Sequence, residues 1–148
     1  AKALGSGAPL GAFTTKEFCS VLEPGDHGST FGGNALTTAA GSAAAKVIVE
    51  ENIPELANET GAYFQGKLNA LAEKYEFITE VRGMGLLIAV EMSKDIAGAT
   101  VTASLLEGLL MNAVRPNMIR FMPPLNATRD EIDEAVAILD KVLAVTGA

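Results

Sequence analysis

Residues 77–92 read FITEVRGMGLLIAVEM, and this stretch decides which fold the chain can form. Two runs rich in apolar and β-branched residues flank Gly83 and Gly85, as is typical of strands. Glycine inside a strand pattern marks a bulge or a close backbone approach. We therefore expect either a pair of strands or one bent strand here.

The sequence after residue 92 adds helices and one more strand. Apolar residues at helical spacing predict a helix over 100–114. Residues 118–122 predict a short strand that ends at two prolines. Thr128 and Glu131 have the spacing of a capping box and predict the start of a last helix. The order strand, strand, helix, strand, helix indicates a small sheet covered by helices, in an α/β or α+β arrangement.

The sequence before residue 77 combines glycine-rich loops with two helices. The alanine-rich, proline-free residues 34–51 predict one helix, and Pro54 suits the first turn of the next. Residues 1–13 and 23–34 are glycine-rich and predict loops. A short strand is expected near residues 10–13.

Composition excludes several classes of function. The 148 residues carry a formal net charge of −7 and have no basic run, which argues against a nucleic-acid partner. No apolar stretch is long and clean enough to span a membrane. The single cysteine and single histidine form no metal-ligand pattern, so we expect no metal. Because the chain begins at Ala1 and turns at once into glycines, we expect it to be part of a longer protein.

Four residues are candidates for chemistry. Lys2 precedes a flexible turn. Because a lysine amine that loses its proton forms Schiff bases, one interpretation is that Lys2 binds an aldehyde. The alternative is that Lys2 is a solvated surface residue. Ser29 and Thr30 lie in a glycine loop before a helix, where amides and hydroxyls can bind an anion; the alternative is a helix N-cap turn. Arg120 alternates with apolar residues, either on the solvent face of an edge strand or aimed at a carboxylate.

Three further residues are given structural roles. His27 is expected to shape its loop through a hydrogen bond, and Arg82 to form a turn or a salt bridge. Cys19 has no activating neighbour and is expected to be inert.

Four motifs in combination resemble the class III pyridoxal-phosphate-dependent aminotransferases. AKALGSGAPLGA (1–12) resembles their cofactor-lysine segment, and GDHGSTFGGN (25–34) resembles their next signature in its acetylornithine form. RGMGLL (82–87) resembles a strand of their small domain, and IRFMPPL (119–125) resembles their closing motif. The four occur in the family's order and cover nearly the whole chain.

The resemblance implies a set of site residues. Lys2 would bind pyridoxal 5′-phosphate covalently and move a proton during the reaction. Thr30 would contact the cofactor phosphate of the other subunit, so that the site needs a homodimer. Ser29 would lie near the substrate, and Arg120 would bind a substrate carboxylate. The family's remaining cofactor contacts precede the lysine, so we expect the 148 residues alone to be inactive.

The resemblance also implies the fold and the reaction. The fold would be the C-terminal portion of a fold-type I aminotransferase: residues 1–33 ending the large cofactor domain, 34–75 forming linking helices, and 76–148 forming a small α/β domain. The complete protein would be a cytoplasmic enzyme of arginine biosynthesis, moving an amino group from N-acetylornithine to 2-oxoglutarate. Asp26 favours this over the ornithine type, in which glutamate is usual. Ornithine or another ω-amino acid remains an alternative, as does a non-catalytic fragment that acts only in assembly.

Overall fold

The computed structural model describes residues 2–148, which form two compact units. The first covers the described residues through Asn52, and the second runs from Ile53 to Ala148. Ala1, with which the first sequence motif and the predicted 1–33 segment begin, lies outside the described residues.

The first unit contains two short 3₁₀ helices, Lys2–Gly5 and Glu17–Cys19, and helix α1, Ala35–Glu50. Asn34 caps α1, because its side-chain oxygen accepts the Thr37 N–H at 3.1 Å. This confirms the helix predicted over 34–51.

The predicted strand near residues 10–13 is wrong. These residues have no regular secondary structure, and Leu10 instead packs on α1 at Gly41. A strand needs a neighbour for its N–H and C=O groups. The four strands of the described chain pair only with one another, in the second unit.

The second unit is a four-stranded antiparallel sheet with three helices. Its elements are α2 (Ile53–Lys74), β1 (Ile78–Met84), β2 (Leu87–Met92), α3 (Ala97–Leu106), β3 (Asn112–Arg115), β4 (Met118–Phe121) and α4 (Arg129–Thr146). The strand order is β1-β2-β4-β3. Of the two alternatives predicted for residues 77–92, the strand pair is confirmed, as β1 and β2.

One face of the sheet holds the core. Residues on it are almost fully buried, including Ile88, Val90 and Ile119. They pack with Phe64 and Leu68 of α2 and with the apolar residues of α4. Side chains alternate between the faces of a strand. The neighbouring residues of β2 and β4 therefore point to the opposite face.

The helix predicted over 100–114 is partly wrong. Helix α3 ends at Leu106, and Gly108 follows with φ +92°, a left-handed conformation that glycine adopts without strain. The end of the predicted helix, from Asn112, is strand β3, which pairs with β4. The observed order is strand, strand, helix, strand, strand, helix.

Helix α4 begins as predicted, with a complete capping box between Thr128 and Glu131. The hydrogen bonds from Thr128 lower the pKa of Glu131. On the outer side of α4, Lys74 of α2 contacts Asp140 at 2.7 Å. This contact lowers the pKa of Asp140 and raises that of Lys74.

Candidate active site

Lys2 stands at the start of the first 3₁₀ helix with its side chain exposed. Its φ is +56°, a region that residues with a side chain rarely adopt. Two turn bonds fix the backbone that follows: Ser6 N–H to Ala3 O and Ala8 N–H to Gly5 O, both 2.9 Å. The lysine thus projects from an ordered turn.

The loop before α1 is tied by its own side chains. The Gly32 N–H donates to Ser29 Oγ at 3.0 Å, and Asn34 Nδ2 donates to the Phe31 carbonyl at 2.9 Å. A Cβ on Gly32 would lie 2.7 Å from Ser29 Oγ, so this turn requires glycine. Thr30 is exposed at the apex, and its hydroxyl makes no hydrogen bond to any described residue.

The preceding turn is shaped by Asp26. Its side chain accepts the Glu23 N–H at 2.8 Å. His27 is exposed and forms no hydrogen bond within residues 2–148, so its expected role in shaping the loop is wrong. The Asp26 carboxylate shapes this turn instead, because it accepts the backbone N–H of Glu23.

In the second unit, Arg120 belongs to a row of residues that crosses the sheet. Its neighbours are Ala89 on β2 and Asn112 on β3, and Ala89 faces Arg82 on β1. Directly paired residues of antiparallel strands share a face. The row Arg82–Ala89–Arg120–Asn112 therefore lies on the face opposite the core. Because β4 pairs on both sides, Arg120 is not on an edge strand.

The two arginines of this row differ in their partners. Arg82 forms an ion pair with Glu91 at 2.8 Å and a second, shorter one with Glu80. These carboxylates raise the pKa of Arg82, the hydrogen bond to Glu91 contributing most. The sequence-based expectation of a salt-bridge role for Arg82 is confirmed, and its charge is already compensated.

The Arg120 side chain makes one hydrogen bond within the described residues. Its Nη2 donates to Asn112 Oδ1 at 3.3 Å. Its Nε is buried and has no hydrogen-bond partner among residues 2–148. An arginine has five N–H donors in a planar fork, a shape that matches a carboxylate. A cavity of about 370 Å³ beside it is lined by Arg82, Ala89 and Arg120, among other residues.

The candidate residues are divided between the units: Lys2, Ser29 and Thr30 belong to the first and Arg120 to the second. Sequence reasoning missed Asn112, because its segment was assigned to a helix. Residues 2–148 contain no group of three or more His, Cys, Asp or Glu suited to a metal ion. No helix among them has the length and apolar character to cross a membrane.

Comparison with known proteins places the chain in a family. The model for aminotransferase class III matches residues 1–143. The chain belongs to the class-III aminotransferases. It is 44% identical over 144 residues to the acetylornithine aminotransferase of Caldanaerobacter subterraneus, covering 97% of this chain and 37% of that protein. The corresponding enzyme of Methanocaldococcus jannaschii is also 44% identical, covering 96% and 36%.

Solved aminotransferase structures have the same fold. Acetylornithine aminotransferase from Elizabethkingia anophelis superimposes with a TM-score of 0.76 at 37% identity, over 83% of this chain and 33% of that one. Ornithine aminotransferase from Toxoplasma gondii gives 0.77 at 37% identity, over 86% and 30%. That structure contains PLP at partial occupancy in its active site. The present chain thus has the fold of the corresponding third of these enzymes, and it spans little more than a third of its curated relatives.

The donors of the first unit fit the chemistry of pyridoxal phosphate. The aldehyde of the cofactor requires a primary amine, and the exposed Lys2 supplies one. Its phosphate requires donors, and the O–H groups of Ser29 and Thr30 can supply them; within the described residues the Ser29 oxygen accepts the Gly32 N–H, which leaves its own O–H to donate.

Proposed function

We propose that the complete protein is a pyridoxal-phosphate-dependent aminotransferase that moves an amino group from N-acetylornithine to 2-oxoglutarate. The observation that carries the proposal from the structure is Arg120, a guanidinium that lies beside a cavity and is paired with no carboxylate of the described residues. It lies in a chain that is similar to acetylornithine aminotransferases over almost its whole length. The reaction would belong to arginine biosynthesis in the cytoplasm.

Lys2 is proposed as the catalytic residue. Bound pyridoxal phosphate would draw electrons from the substrate carbon that carries the amine and so make its proton acidic. The Lys2 amine would take that proton and deliver it to the C4′ carbon of the cofactor. The exposure of the Lys2 side chain and the glycine turn that follows it support this role.

Ser29 and Thr30 are proposed to serve the phosphate end of the cofactor and the adjoining substrate. The hydroxyl of Thr30 would donate to the phosphate held by the other subunit, so each site of a homodimer would be built from two chains. The bonds inside the loop hold its donors in place before a ligand arrives. Such preorganisation reduces the entropy lost on binding.

Arg120 is proposed to bind a carboxylate of glutamate, 2-oxoglutarate or the amine donor. A bidentate pair between a guanidinium and a carboxylate fixes both the position and the rotation of the bound acid. Arg120 would thus contribute mainly to the affinity for the acid, which the KM for 2-oxoglutarate reports.

The choice of amine substrate rests on two supports. The similar curated proteins quoted above are acetylornithine aminotransferases. The resemblance of residues 25–34 implies that Asp26 favours the same type. The fold does not separate the alternatives, because an ornithine aminotransferase superimposes equally well. Ornithine or another ω-amino acid is therefore the alternative that the assay must address.

The test is a spectral titration of the complete protein loaded with pyridoxal phosphate. We expect N-acetylornithine to convert the cofactor absorbance to that of the amine form at far lower concentration than ornithine does. The reverse preference would replace the substrate with ornithine. No change with either amine would remove the substrate assignment, and failure to load the cofactor would support the non-catalytic alternative.

A further inference from the structure

Asn112 is the one residue seen to hold the Arg120 side chain within the described chain. It is the first residue of β3 and the direct cross-strand neighbour of Arg120. Its Oδ1 accepts from Arg120 Nη2 at 3.3 Å. A guanidinium only donates, so the amide of Asn112 must present its oxygen to it.

The contact is of a kind that orients a charge without neutralising it. Arg82, in the same row, is paired with two carboxylates, which compensate its positive charge. Arg120 is held instead by a neutral amide, and no carboxylate of the described residues is paired with it, so its positive charge stays uncompensated. The small side chain of Ala89 separates the two arginines and lines the cavity beside them.

We propose that Asn112 is a positioning residue that orients the Arg120 guanidinium toward a substrate carboxylate. This inference rests on the proposed function of Arg120. Because both residues stand on paired strands, their spacing is fixed by the backbone hydrogen bonds of the sheet. Sites built on such elements are better ordered than sites on loops.

Two variants separate orientation from charge. Asn112→Ala removes the acceptor and frees the guanidinium to rotate. Asn112→Asp keeps the shape but places a carboxylate against Arg120, which would compete with the substrate. We expect Asn112→Ala to raise the KM for 2-oxoglutarate about tenfold, and Asn112→Asp to raise it further. In both variants kcat would stay within about twofold.

Asn69→Ala is the matched control, because Asn69 is exposed on α2, away from the row. It should leave KM, kcat and the unfolding midpoint unchanged. Asn112→Asp is nearly isosteric with the natural residue, so it keeps the test valid if Asn112→Ala disturbs the strand.

The experiment is a double-mutant cycle in the complete, cofactor-loaded protein, with Arg120→Ala as the second change. Asn112→Ala should have no further effect on KM once Arg120 is gone. An equal rise in KM in both backgrounds would show a merely structural role and overturn the inference. If Arg120→Ala raises KM but Asn112→Ala does not, only the inference fails. If Arg120→Ala leaves KM unchanged, the carboxylate role of Arg120 fails and the inference with it.

Discussion

Gly61 on α2 touches the turn between β1 and β2, and replacing it with alanine tests this close approach. A Cβ at Gly61 would lie 2.1 Å from the carbonyl oxygen of Gly85 and 2.4 Å from its carbonyl carbon. Both atoms belong to the backbone, so the clash cannot be relieved by a side-chain rotation. Either α2 or the turn must move.

The magnitude follows from a matched substitution in the same helix. Gly66→Ala meets nothing within 4 Å and should stabilise α2 by about 1 kcal/mol through helix propensity. Gly61→Ala gains the same stabilisation from helix propensity but also overpacks the contact with the turn. We expect this overpacking to cost about 3 kcal/mol, the upper end of the usual range for protein cores, because the backbone must shift. The two variants should therefore differ by about 3 kcal/mol in free energy of unfolding, and Gly61→Ala should be about 2 kcal/mol less stable than the natural chain.

The assay is urea unfolding followed by the circular dichroism of the helices. With a slope of about 1.5 kcal/mol per molar urea, the two midpoints should lie about 2 M apart. A Gly61→Ala midpoint equal to or above that of Gly66→Ala would refute the tight packing of α2 against the turn.

Two further predictions concern charge and the glycine loop. Asp140→Asn should lower the unfolding temperature at pH 7. Lys74 lowers the pKa of Asp140 in the folded state, so the Asp140 carboxylate stabilises the fold at pH values above its unfolded pKa of about 3.9. This stabilisation is lost as the pH falls through the lower, folded pKa. An equal difference in unfolding temperature between the variant and the natural protein at pH 2 and at pH 7 would contradict this. Gly32→Ala should weaken pyridoxal phosphate binding by roughly three- to tenfold, because it disrupts the turn bond to Ser29. Gly28→Ala meets nothing within 4 Å and is the control, so equal dissociation constants for the two variants would count against the proposed role of the loop.

The parts of the fold that were predictable are those specified by local sequence. The strands of residues 77–92 follow from apolar runs interrupted by glycine, and the capping box from the spacing of Thr128 and Glu131. Helix α1 follows from an alanine-rich segment behind an asparagine cap. Each of these signals acts within a few residues along the chain.

The errors arose where distant pairing decides the structure. Strand β3 has only four residues and follows an apolar run at helical spacing, so its own sequence does not distinguish it from helix. Its hydrogen bonds come from β4, and its pairing with β4 makes the strand of Arg120 an interior strand of the sheet. The Asn112–Arg120 contact could not be predicted for the same reason; the sequence left Arg120 as either a solvent-facing residue of an edge strand or a carboxylate ligand.

The measurement that tests the central claim most directly is borohydride reduction of the complete protein with pyridoxal phosphate, followed by peptide mapping. The account predicts a single stoichiometric adduct on Lys2, which Lys2→Ala abolishes while Lys16→Ala does not. Label spread evenly over exposed lysines, or concentrated on a lysine other than Lys2, would contradict the assignment of this chain's first lysine as the cofactor residue.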